Sequence, residues 1–293
     1  MISDHKDSSH FFVICIMRIY SLSKILGIPL GLAAGYLLYL MFFTYEETHL
    51  WQLLSIIIPT VALVIFSGQI DHWYLERHPI TLDQPIVDWL AQYDKHYQTL
   101  SADQQAELHQ RAALYERGRS FEAVAFEEKN DVPFDIRCII ATQVVKMSLH
   151  HDDYLMGDMD RIYVYKHPFP SPQHKFLHTY ETQVEDGVMI FALDYLLPGL
   201  QHPDRFYNIC GHGIAEAYTK VYPGADYPSA DDLNWSEVES MSGFTKDQIM
   251  QVLGYSAIDL LPIYIMYFFT RPDQLRTASP KVYEQIAAIF TSP

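Results

Sequence analysis

Asn208-Ile209-Cys210-Gly211-His212-Gly213-Ile214-Ala215-Glu216 is the stretch on which the fold of this chain turns. It follows Pro203, and Phe206, Ile209, Cys210, Gly213 and Ala217 recur at helical spacing, which predicts a helix with one apolar face. His212 and Glu216 stand at i and i+4, so both project from the same side of that helix. Histidine and carboxylate are both zinc-ligand types, but two donors do not make a tight metal site.

Working outward, Lys175–Gln183 and Val188–Asp194 predict a strand pair around Glu185-Asp186-Gly187, and Arg161–Tyr165 (RIYVY) predicts another strand. Ser101-Ala102-Asp103-Gln104 has the form of a capping box, and Leu108, Ala112 and Tyr115 follow on one helical face. Pro133 opens a second helix, with Ile136, Ile139, Ile140, Val144 and Met147 along its face. From about Thr245 the pattern is largely helical, with Pro262 inside it and Pro280 starting the last helix. Tyr255–Phe269 is aromatic-rich, but 15 residues containing Asp259 and Pro262 read as a buried core helix rather than a membrane span. Helices, then a small mixed sheet, then helices predict an α+β domain over 86–293.

In this context Asn208, His212 and the residues after them resemble the zinc metallopeptidase family of Mlc titration factor A, which carries Asn, three residues, then His-Glu-x-x-His. The resemblance extends over most of 86–291. It takes in a helical Phe121 region, Ile139–Gln143, Tyr163-Val164-Tyr165, an edge strand at Gly187, and Tyr267-Phe268-Phe269 followed by Pro272. It implies a zincin-like fold in which two histidines hold zinc and the intervening Glu activates water. Here the Glu position is Gly213 and the second His position is Glu216. The family's third ligand, a Glu before an aromatic pair, falls on Met266, a thioether that suits zinc poorly. Loss of a general base alone removes about 10²–10⁴-fold in rate. The resemblance therefore implies a pseudoenzyme that binds a protein or peptide partner and needs no cofactor. The alternative is a rearranged zinc hydrolase using His212, Glu216 and Asp259, the last lying seven residues before Met266 on roughly the same helical face.

The N-terminal end differs in character. Residues 25–43 and 50–70 are uncharged apolar runs, each spanning roughly 28–32 Å as a helix. They predict a two-span hairpin through residue 70, followed by a linker over 71–85. Lys6, Arg18, Lys24 and Arg77 flank the spans, whereas the Thr44–His49 connection carries only Glu46 and Glu47 as charged residues. The positive-inside tendency then predicts a multi-pass protein of the cell (inner) membrane with its N-terminus and main domain in the cytoplasm. Phe11–Tyr20, broken by Arg18, reads as interfacial. A cleaved signal peptide is disfavoured because a second span follows and no small-residue cleavage site does. The third option, a scaffold for a membrane complex, rests on this hairpin.

Composition narrows the function classes further. The 293 residues carry a net charge of −16, almost all of it after residue 70, which disfavours nucleic acid as a ligand. Cys15, Cys138 and Cys210 are too few and too scattered for a disulfide framework or a Cys-rich zinc module. Phosphate-loop, dinucleotide and serine-hydrolase signatures are absent. His150-His151-Asp152-Asp153 reads as a helix end, and His167, His174 and His178 as solvated. Ser229–Glu239 reads as an acidic loop lacking calcium-hand spacing.

Overall fold

The computed structural model describes residues 22–44, 47–78, 80–126, 131–151 and 153–291. Two compact units divide between Ile80 and Thr81.

The first unit is three helices: α1 (Leu22–Thr44), α2 (Glu47–Ile65) and α3 (Ser67–Arg77). Both the backbone N–H and the hydroxyl of Ser23 donate to the Asp71 carboxylate at 2.8 Å, and Gly27 faces Leu63. Those contacts run α1 and α2 antiparallel. Leu22–Phe43 is long and apolar enough to cross a membrane. The second expected span, 50–70, is not one helix. It breaks at Phe66, where Ser67 and Gly68 weaken the helix and the Ser67 hydroxyl donates to the Val64 carbonyl instead. The expected linker is likewise largely helical, because α3 runs to Arg77 and the next helix starts at Gln84. Phe11–Tyr20, Lys6 and Arg18 lie outside the described residues.

The second unit is α+β. It contains α4 (Gln84–Tyr93), α5 (Ala102–Gly118), β1 (Ser120–Val124), α6 (Phe134–Ser148), β2 (Arg161–Tyr165), β3 (Tyr180–Gln183) and β4 (Val188–Ala192). Seven more helices follow: α7 (Leu193–Gln201), α8 (Ile209–Val221), α9 (Trp235–Ser242), α10 (Lys246–Leu253), α11 (Leu261–Thr270) and, either side of Ser279, α12 (Pro272–Ala278) and α13 (Pro280–Phe290).

Local chemistry accounts for several of these boundaries. Ser101 and Gln104 form the expected capping box, as do Thr245 and Gln248. Pro262 begins α11 instead of lying inside it, since proline has no N–H to lose in a first turn. Phe206 lies outside the helix it was expected to join and is exposed, because Asn208 caps α8 two residues later.

The sheet order is β1-β2-β4-β3, parallel except for the antiparallel β3–β4 hairpin. Phe121 is therefore in a strand rather than a helix. The outer strand beside Gly187 is β3, with β4 inside the sheet. Helix α8 packs against β3, α6, α7 and α11, so it is buried along nearly its whole length.

Candidate functional site

Helix α8 reaches the sheet because Gly213 lets it. An ideal Cβ at that position would sit 2.9 Å from ring atoms of both Phe191 on β4 and Tyr180 on β3. The position that the resemblance assigns to a general base is thus a point of close approach between helix and sheet. Asn208 has a local duty as N-cap, its Oδ1 accepting from the Gly211 N–H at 2.9 Å. Met266 is buried on α11, and its Cγ would lie 2.9 Å from a Cβ built at Gly211. It packs against the helix and does not line the cleft.

The cleft has a volume of about 320 Å³, and His212, Glu216 and Asp259 all line it, together with Tyr180, Thr182 and Tyr255. The sequence brought the first two together through helical spacing. Asp259 joins them from the α10–α11 loop, where its Oδ1 accepts from the Leu261 N–H at 3.0 Å.

His212 is 1 % exposed and both of its ring nitrogens are engaged. The Tyr180 hydroxyl donates to Glu216 Oε2 at 2.7 Å, so its oxygen accepts from His212 Nε2–H at 3.0 Å. The other ring nitrogen, Nδ1, is then bare and accepts from the Tyr207 hydroxyl at 2.7 Å. The carboxylate at one end thereby sets the direction of the whole chain and the tautomer of the histidine. Lys220 donates to the other oxygen, Glu216 Oε1, at 2.5 Å.

Burial holds the His212 pKa down at about 4, against the opposing pull of Glu216 and Asp259. The ring is neutral at physiological pH. Burial and the Glu216 carboxylate raise the Tyr180 pKa, so its proton stays on the hydroxyl. The arrangement orients and satisfies buried polar groups. Among the described residues no group of three His, Cys, Asp or Glu side chains is placed to hold a metal ion.

Tyr180, Tyr207, Tyr255 and Lys220 are the participants that sequence reasoning missed. Lys220 was accessible, being one further turn from Glu216. The tyrosines sit on other elements, at separations that carry no periodic signal.

The strand beside the cleft is partly open. Ala192 N–H donates to the Thr179 carbonyl at 2.8 Å, which fixes the phase of the β3–β4 ladder. The backbone groups of Tyr180 and Thr182 therefore point to the outer edge. The Tyr180 carbonyl accepts from the Tyr255 hydroxyl at 2.8 Å, whereas Thr182 lines the cleft.

Of the histidines expected to be solvated, His167 is exposed, whereas His178 is not. His178 is fully buried, its ring nitrogens 3.0 Å from the Phe176 carbonyl and from Glu181 Oε2. His167 is exposed and 2.6 Å from Asp194. His151 Nε2 lies 2.5 Å from the Tyr218 hydroxyl, and Asp152 lies outside the described residues.

No protein-family profile matches this sequence, and no curated protein matches it.

Proposed function

We propose that the cleft beside α8 binds an extended peptide without cleaving it, in a chain tethered to the membrane by its N-terminal helices. The observation that carries this reading is the Tyr180 hydroxyl, seated between His212 Nε2 and Glu216 Oε2. A zinc ion bridging those two donors needs contacts of about 2.0–2.2 Å to each. Here a phenol fills that place with two hydrogen bonds, and Gly213 leaves no side chain to activate water. On this reading the domain is a zincin-like pseudopeptidase, and the resemblance to the Mlc titration factor A family describes its ancestry rather than its chemistry. The outward N–H and C=O of Thr182 offer a peptide backbone its first ladder bonds. The flanking charges Lys24 and Arg77 favour a cytoplasmic placement for the domain, at the cell (inner) membrane.

The test is a selection of random decapeptides on the full chain in detergent, followed by mass analysis of what is retained. Retained peptides should emerge intact, and Thr182→Pro should weaken them about tenfold by removing one outward N–H, whereas Thr182→Val keeps them. His212-dependent cleavage, retention indifferent to Thr182→Pro, or the absence of any retained peptide would each overturn the proposal.

A further inference from the structure

A second cavity, separate from the cleft, opens between the end of α8 and α13. Its volume is about 710 Å³, and its lining includes His151, Tyr218, Tyr222, Asp226, Glu284 and Gln285. His151 and Tyr222 are the part-exposed rings of its wall and stack at 4.9 Å, while Tyr218, fully buried, backs Tyr222 with its centroid 4.8 Å away.

The wall is held by its own polar edges. The Tyr222 hydroxyl donates to the Asp153 carboxylate at 3.1 Å and lies 3.0 Å from the Asp153 carbonyl. The Tyr218 hydroxyl is paired with His151. Asp226 and Glu284 add two carboxylates to the lining, and among the described residues no lysine or arginine lines the cavity. Burial and the Asp153 carboxylate both raise the Tyr222 pKa, so its hydroxyl keeps its proton.

The part-exposed rings and the carboxylates that line the cavity, with no lysine or arginine among its described lining residues, match one ligand chemistry. A compact ammonium ion with apolar substituents is attracted to ring faces and gains from nearby negative charge. A phosphate or carboxylate ligand would meet only repulsion there. We propose that this cavity is a binding site for a small organic ammonium ion of the choline type. The site is independent of the peptide cleft, and its existence does not rest on how that cleft works.

The experiment is a titration of the full chain in dodecylmaltoside with choline, read by calorimetry. The uncharged tert-butyl isostere 3,3-dimethylbutan-1-ol is titrated in parallel. Choline should bind about tenfold more tightly than the isostere, the difference reporting the charge. Tyr222→Leu should weaken choline by a similar factor. Because Glu284 is exposed, Glu284→Gln tests the same site without risk to folding and should weaken choline roughly threefold, with the loss shrinking at high salt. Equal affinity for the two probes, no choline binding, or binding that ignores both substitutions would overturn the proposal. If phosphatidylcholine vesicles displace bound choline, the natural source is a lipid headgroup. If they do not, it is a soluble cation. Both results support the site.

Discussion

Replacing Gly213 by alanine puts a methyl group 2.9 Å from ring atoms of Phe191 and Tyr180, inside normal contact distance on two sides at once. Both rings are buried, so neither can swing away freely. Gly213→Ala should therefore lower stability by about 1–3 kcal/mol, seen as a fall in the urea midpoint at unchanged slope. A stability equal to the parent's would mean that helix and strand separate more easily than this packing allows. The same geometry forecasts that placing a glutamate there damages the fold before it could supply a base.

His212 gives the pH dependence a sign. Its folded pKa, about 4, is below the ordinary value of 6.5, so the unfolded chain takes up the proton first as pH falls. The contribution is fully present above about pH 6.5 and is lost towards pH 4. Burial shifts His96 and His150 downward in the same way, so they share the effect. His212→Gln should flatten, not abolish, the decline in urea midpoint over that window. At this scale the sequence held the pairing of His212 with Glu216, because helical spacing reports it directly. It could not hold Tyr180 or Tyr207, whose approach to His212 depends on how strand and loop dock against α8.

Elements are joined by polar contacts as well as by packing. Lys146 on α6 donates to Asp94, at the end of α4, at 2.7 Å and to Gln143 at 2.6 Å, with Gln143 also reaching Asp94. Asp94 and Lys146 are 7 % and 4 % exposed. Although burial opposes its charge, the Lys146 ammonium and the hydrogen bonds hold the Asp94 pKa low. Lys146→Met strands a buried carboxylate and should cost about 3–5 kcal/mol, whereas adding Asp94→Leu should recover much of it. A double variant no more stable than the single one would contradict this account of the pair. Helices with local signatures were legible: the Ser101 capping box, the Pro133 start and the apolar face of α6 are all where periodicity put them. Strand β2 matched residue for residue because its alternation is complete. Ser120–Val124 was not legible as a strand, since five residues with a single strong apolar anchor fit a helix end equally well. The bounds of the second apolar helix were not legible, because hydropathy counts residues and overlooks the break that Ser67 and Gly68 make.

For the whole molecule, two separately built units share one chain. In the N-terminal unit, the Asp71 carboxylate caps the start of α1 across the hairpin. Asp71→Ala should cost about 1 kcal/mol of that cap, read as faster amide exchange at Ser23 in lipid nanodiscs. Protection equal to the parent's would place the cap elsewhere. In the C-terminal unit, the central claim is that a tyrosine hydroxyl holds the place between His212 and Glu216 that a metal would otherwise need. Elemental mass spectrometry on the untagged full chain, purified in detergent beside His212→Ala, tests it most directly. The account predicts no zinc that depends on His212. About one zinc per chain, lost in His212→Ala, would contradict it.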